Sequence, residues 1–258
     1  MEISLSGRSA IVTGGSKGIG FAVATRFAKS GADVAIVARA KDTLDEAVAA
    51  LKTQTKARVV GVQGDVGSAA DIQRAYDTVM AAFGKVDIIV NNAGTSRAMA
   101  FEKVTDEILH DDMEQKLFAA VRLIRLVVPQ MKERRWGRII NVLNIGAKAQ
   151  RPASAPTSVS RAAGMAVTKI LSGEGAPHNV LVNALLVGRI ESDQWVRAAA
   201  REGISTEEYL AKTGKQIPLG RVGTAEEFAN VACFLASDAG GYVTGTAINV
   251  DGGSSPVV

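Results

Sequence analysis

The chain has little of what several common chemistries require. Of its 258 residues one is cysteine, two are histidine and three are tyrosine. The single Cys233 excludes intrachain disulfides and a cysteine-based metal cluster. His110 stands beside Asp111 and Asp112, but neighbours along a helix point to different sides and cannot bring three ligands to one ion, so no metal site is expected. His178 follows Ala176-Pro177 and reads as a surface or capping residue. Long hydrophobic runs are also missing: the longest charge-free stretch, Gly175–Gly188, falls short of the ~18 residues that span a bilayer. Met1-Glu2-Ile3-Ser4 carries an acid and no basic region of a secretory signal, so a cytoplasmic protein without a membrane partner is expected. The formal net charge is only +4, and the densest basic run, Lys132-Glu133-Arg134-Arg135, contains an acid at a helix end, where cations complement the dipole. Without a basic stripe or stacking aromatics, no nucleic-acid partner is expected.

What the chain does have is apolar surface, 47% of residues, and a strict alternation of patterns. The spacing predicts strands over Ser9–Val12, Val34–Val37, Val59–Val62, Val86–Val90, Arg138–Val142, Val180–Leu186 and Ala247–Val250. Helices are predicted over Phe21–Lys29, Asp42–Leu51, Ala70–Phe83, Asp111–Arg134, Ser160–Glu174 and Ala225–Ala236. Strands apolar on both faces and separated by helices imply a parallel sheet covered on both sides, an α/β doubly wound, Rossmann-type fold. No linker or composition shift divides the chain, so residues 1–258 read as one domain with a long irregular segment, about 188–223, as a lid carrying Trp195, Tyr209 and Leu210. Those side chains either wall a substrate pocket or pack the lid onto the body.

The first strand opens onto Thr13-Gly14-Gly15-Ser16-Lys17-Gly18-Ile19-Gly20 and then a helix. Gly14 permits a tight turn, Gly18 close approach of the backbone to a pyrophosphate, and Gly20 close helix–strand packing. The helix N-terminus offers amide donors and the positive end of its dipole to that anion, with Ser16, Lys17 and Ile19 in the same loop. The loop has no nucleophile-elbow pattern, which leaves a Ser–His–Asp hydrolase without support. At the tip of the second strand, roughly 20 residues on, stands Ala38-Arg39 with no acid to accept a ribose 2′-hydroxyl. Arg39, with Lys17, suits a 2′-phosphate, so NADP(H) is favoured over NAD(H); the competing reading is a solvated surface arginine.

Further along, Asp65-Val66 follows the third strand, Asn91-Asn92-Ala93-Gly94 the fourth, and Tyr242-Val243-Thr244-Gly245 leads to Val250-Asp251-Gly252-Gly253. With Thr13–Gly20 these segments resemble, in order and spacing, the short-chain dehydrogenase/reductase family, from about residue 5 to 253, and in particular its classical branch. The resemblance implies that Asp65 borders the adenine, that Asn91–Gly94 support the sheet and the cofactor, and that Val66, Asn92, Ala93 and Gly94 are among the cofactor-binding residues. Gly188-Arg189-Ile190-Glu191-Ser192 stands where the family usually has Pro-Gly followed by a threonine at the nicotinamide amide; Gly188, Ile190 and Ser192 keep the glycine, the apolar residue and a hydroxyl. A homotetramer or homodimer acting on a small molecule is likewise implied.

The family's proton chemistry rests on a tyrosine, a lysine four residues later, a serine and an asparagine. Here Ser160-Arg161-Ala162-Ala163-Gly164 resembles the family's Ser-Lys-Ala-Ala-Gly, which puts Arg161 at the lysine and Thr157 at the tyrosine. The serine position is Asn144 and the asparagine position Lys116. No tyrosine elsewhere has a lysine four residues on: Tyr76, Tyr209 and Tyr242 are followed there by Met80, Thr213 and Thr246. A threonine hydroxyl is far less acidic than a phenol of pKa ≈ 10, and arginine stays protonated and relays no proton. Asn144 retains an amide donor for a carbonyl. Lys116 has useful proton chemistry if Arg161 lies near enough to depress its pKa, or else it fills space and pairs with Glu114 or Asp112. Two functions stay open: a divergent oxidoreductase in which Lys116, Asn144 or water replaces the tyrosine, and a nicotinamide-nucleotide-binding sensor or assembly partner with little turnover.

Overall fold

Seven parallel strands, each apolar enough to be covered on both faces, form the centre of the computed structural model. It describes residues 3–258, apart from the side chains of 193, 194 and 197; Met1 and Glu2, part of the signal-peptide reading, lie outside it. The strands are β1 Ser9–Thr13, β2 Asp33–Ala38, β3 Val59–Gln63, β4 Ile88–Asn91, β6 Gly137–Asn144, β8 Val180–Val187 and β9 Ala247–Val250. Among the described residues they lie in the order β3-β2-β1-β4-β6-β8-β9. The order reverses direction between β1 and β4, the switch point at which open α/β sheets bind ligands beyond their strand ends. A separate two-strand antiparallel pair, β5 Ala98–Met99 with β7 Ala155–Pro156, ties the loop after β4 to the start of the helix after β6. This small element carries no sequence periodicity and is absent from the expectations above.

Helices α1 Gly18–Lys29, α2 Lys41–Gln54 and α9 Ala225–Ala236 cover one face, packed over Val12, Phe27, Val34, Ile36, Ile88 and Phe228. On the other face α3 Ala69–Phe83 and α5 Ala119–Glu133 bury Ile11, Val79, Ile89, Leu123 and Val127. The sixth helix, α6 Thr157–Gly175, packs beside β6 and β8. Two expectations are corrected. The long helix begins earlier, with α4 Asp106–Met113, and runs through a π-helical turn, Glu114–Phe118, into α5. The segment 188–223 is not irregular: it contains α7 Asp193–Glu202 and α8 Thr206–Gly214, closed at Gly203 by a left-handed residue and at Ser205 by a side-chain cap. Their short polar helices lack the long apolar stripe that announces a core helix.

Below the strand ends a buried polar chain fixes α6 against the sheet. Asn91 Nδ2 donates to Asn141 Oδ1 at 2.8 Å, Asn141 Nδ2 to Thr168 Oγ1 at 2.9 Å, and Thr168 Oγ1 to Gly164 O at 2.8 Å. Residues from β4, β6 and α6 are thereby held in one register. Among the described residues no helix is long and apolar enough to cross a membrane. Replacing Asn141→Ala breaks two of these bonds and leaves the Asn91 amide buried without a partner. A loss of about 1–3 kcal/mol in urea denaturation is expected; an unchanged midpoint would show that the chain of amides does not anchor α6.

Candidate functional site

The glycine loop is shaped by contacts that leave no room for side chains. Gly14 and Gly18 have φ of 66° and 53°, the left-handed region that glycine enters without strain. A Cβ on Gly20 would lie 2.2 Å from Gly14 O and 2.5 Å from Asn92 Nδ2, so helix and turn close only around glycine. Asn92 secures the turn from β4, its Nδ2 donating to Thr13 O at 2.9 Å and to Gly14 O at 3.2 Å. Thr13 Oγ1 accepts from the amides of Asn92 and Ala93 at 3.0 and 3.1 Å. Lys17 caps α1 in an extended conformation, and no acid sits in the first turn to compete for the exposed amides. Ile19 packs against the core, so what it offers the cleft is backbone.

A cavity of about 260 Å³ opens beside this loop, lined among others by Gly14, Ser16, Arg39, Asp65, Val66 and Ala93. The Arg39 guanidinium is largely exposed and only 4.0 Å from the Asp65 carboxylate, a loose pair that an incoming anion can displace. Across the cleft, Ser192 Cβ lies 4.0 Å from the point where a Gly18 Cβ would stand. Ile190 is buried and bridges to Gly223, while Gly188 touches Asp251 so closely that a Cβ would lie 2.4 Å from its Cβ. The start of the 188–223 segment is thus fastened to the body and faces the glycine loop. Within that segment Trp195 and Tyr209 pack on each other with ring centroids 5.9 Å apart.

The four positions named from the tetrad resemblance are only partly brought together. Lys116 lies in the π-helical turn, a rare geometry that redirects side chains and is concentrated at functional sites. Its Nζ donates to Thr157 Oγ1 at 2.7 Å and to Asp112 Oδ1 in a short ion pair. Of the two acids considered from the sequence, Asp112 is therefore the partner; Glu114 instead receives Arg122 at 2.6 Å. Thr157 Oγ1 also accepts from the Arg97 amide at 2.9 Å, which the β5–β7 pair holds in place. Arg161 donates to Val142 O at 2.8 Å, and its Nη2 lies 3.1 Å from the place of a Gly94 Cβ, as does Lys116 Cγ. Gly94, with φ of 147°, lets both cations approach the cofactor loop. Asn144 makes no hydrogen bond to the other three; its Oδ1 is buried and unpaired.

Ser160 and Arg97 are functional candidates that the motifs do not point to, and Asp112 enters the sequence reading only as a structural partner of Lys116. Ser160 Oγ donates to Asp112 Oδ2 at 2.6 Å, so the carboxylate is held from both sides. The signal for Asp112 was present, because residues four apart on a helix face each other. Burial draws the Lys116 ammonium down to about 8; Asp112 pulls it up, and Arg161 and Arg97 push it down. Burial also draws Arg161 down to about 10, against Asp112, so it remains a cation at neutral pH. Among the described residues no group of three histidine, cysteine, aspartate or glutamate side chains is arranged to hold a metal ion.

Between about 8 and the ordinary lysine value of 10.5, the unfolded chain keeps a proton on Lys116 that the folded chain has released. Stability therefore gains from this residue as pH rises through that window. Urea denaturation of the wild type minus Lys116→Met is expected to show that gain, and a flat difference would contradict the burial of the ammonium.

Along its whole length the chain is similar to known proteins. A family model described as enoyl-(acyl carrier protein) reductase matches residues 14–255. The chain is 33% identical over 257 residues to the 3-oxoacyl-(acyl-carrier-protein) reductase of Aquifex aeolicus, covering 98% of this chain and 99% of that one. L-sorbose reductase from Gluconobacter frateurii, solved in complex with NADPH and L-sorbose, superimposes with a TM-score of 0.95 at 35% identity over 100% of both chains. An NADPH-bound short chain oxidoreductase from Pseudomonas aeruginosa PAO1, containing an atypical catalytic center, gives 0.93 at 34% identity over 99% of both chains. Coverage from end to end at such identity makes this chain a member of the short-chain dehydrogenase/reductase family.

Proposed function

We propose that the chain is an NADP(H)-dependent oxidoreductase that interconverts a carbonyl and an alcohol, with Lys116 as its proton donor in place of a tyrosine. The observation that carries this reading is the 2.7 Å contact from Lys116 Nζ to the Thr157 hydroxyl, which occupies the tyrosine position. NADPH fits the cleft on three counts: a tight turn that only glycine allows, a helix N-terminus without an acid in its first turn to compete for an anion, and Arg39 in the cavity lining. Relatives solved with NADPH support the same cofactor. When bound, NADPH supplies the hydride. Gly14, Ser16 and Gly18 hold the pyrophosphate, Arg39 and Lys17 the 2′-phosphate, and Arg161 the ribose beside Gly94. Asn144 presents an amide to the substrate oxygen, and the segment 188–223, a lid, selects the substrate.

Proton transfer needs a donor whose acidity lies near the working pH. Lys116 Nζ meets that requirement at about 8. Its proton passes to Thr157 Oγ1 as the Thr157 hydroxyl proton passes to the substrate oxygen, so threonine relays what it is too weak an acid to supply. The net change is one proton from the ammonium to the alcohol. A likeness to a relative with an atypical catalytic center supports a departure from the tyrosine mechanism.

A second reading, a nucleotide-binding sensor or assembly partner without turnover, is favoured by the Asp112 contact, since a purely structural lysine would make the same pair. Two measurements separate them. NADPH should raise the melting temperature more than NADH, and Arg39→Ala should abolish the difference; equal effects in the wild type would remove the basis for NADP(H). With a panel of ketones, aldehydes and keto sugars, NADPH oxidation should fall by about 10²-fold or more in Lys116→Met, the scale of a lost acid catalyst, while NADPH still binds. Binding without oxidation of any panel member would establish the second reading.

A further inference from the structure

The Lys116 ammonium is surrounded by more positive than negative charge. Arg161 faces it from α6 and Arg97 from the segment before β5, and among the described residues Asp112 on α4 is the one anion in contact with it. The other nearby acid, Asp111, is exposed and lies 3.8 Å from Arg97. The Asp112 and Lys116 side chains are only 1% and 2% exposed, so water does little to hold either charge. Removing the carboxylate would leave a buried ammonium against two cations, and such a group sheds its proton. A neutral amine on a flexible four-carbon stem has neither a proton to give at neutral pH nor a fixed direction.

Ser160 completes the arrangement. Its Oγ donates to Asp112 Oδ2 at 2.6 Å and is 3.1 Å from Thr157 O, so the hydroxyl joins the carboxylate to the helical turn that carries Thr157. Oδ1 is thereby turned towards Lys116, and α4 is locked to α6 across the cleft. We propose that Asp112 is a positioning residue: anchored by Ser160, it keeps Lys116 charged and aims it at the Thr157 hydroxyl. This rests on Lys116 being the proton donor. It also makes the site a four-residue line, Ser160–Asp112–Lys116–Thr157, rather than a tetrad with substituted members.

The test titrates Lys116 directly in the full-length protein carrying nitrogen-15 lysine, with the Nζ signal assigned by its absence in Lys116→Met. Asp112→Asn keeps the size and removes the charge, and is expected to move the Lys116 midpoint down by about one pH unit or more. Asp112→Glu keeps the charge but displaces it, and is expected to hold the midpoint near that of the wild type while kcat falls about tenfold or more at unchanged KM. An unmoved midpoint in Asp112→Asn, or full kcat in Asp112→Glu, would overturn the proposal. Should Asp112→Asn not fold, the split between midpoint and kcat in Asp112→Glu decides by itself. The titration needs no turnover, so a protein that binds NADPH and reduces nothing would fail the proton-donor reading and leave the effect of Asp112 on Lys116 separately measured.

Discussion

A lysine and an aspartate buried together impose a demand that the surrounding helices have to meet. Each charge costs several kcal/mol to take out of water, and the cost is offset only where every remaining donor and acceptor is occupied. Asp112 meets the demand with Lys116 on one oxygen and Ser160 on the other, and Lys116 passes a further hydrogen bond to Thr157. The π-helical turn at Glu114–Phe118 and the start of α6 at Thr157 are the two backbone features that bring these groups together. Beneath them the Asn91–Asn141–Thr168 chain stops α6 from sliding along the sheet.

Cofactor cradle and proton apparatus are built by different kinds of constraint. The cradle depends on the absence of side chains: Gly20 against Gly14 O, Gly94 beneath Arg161 and Lys116, and Gly188 against Asp251. Such contacts are steric: a methyl group at Gly20 or Gly188 would force backbone apart, and one at Gly94 would push on the Arg161 and Lys116 side chains. The proton apparatus depends on charge. Its members can be exchanged as a set, provided that the sum of burial, cations and anions leaves one group titrating near neutrality. In the mechanism proposed for this chain that group is Lys116, drawn down to about 8, with the Thr157 hydroxyl at the tyrosine position and a charged Arg161 at the lysine position.

The two kinds of constraint differ in how far they can be read from sequence. Strands such as Val34–Val37 and the loop Gly14–Gly20 are legible because their patterns are local: continuous apolar residues, and glycines at fixed offsets between a strand and a helix. That Arg39 and Asp65 line the cleft is legible because the fold sets where the strand tips lie. Helices α7 and α8 escape because they are short, ten and nine residues, and polar on average, so their apolar positions are too few to set a period. Spacing favours Asp112, four residues from Lys116, over Glu114, two residues away on another side of the helix. Only the packing of α4 on α6 turns Asp112 inward, and Arg122 claims Glu114. Ser160 marks the alignment but gives no sign of its bond, which spans 48 positions. The β5–β7 pair that presents the Arg97 amide is two residues long and has no periodicity to detect.

Hydride transfer is proposed to persist on a frame whose proton donor has moved to Lys116. It is tested most directly by following the hydride itself, with NADPH carrying deuterium at the nicotinamide C4 and a panel of carbonyl compounds. Mass spectrometry is expected to find deuterium on the carbinol carbon of a product alcohol. Saturating NADPH binding with no labelled alcohol from any compound would contradict it.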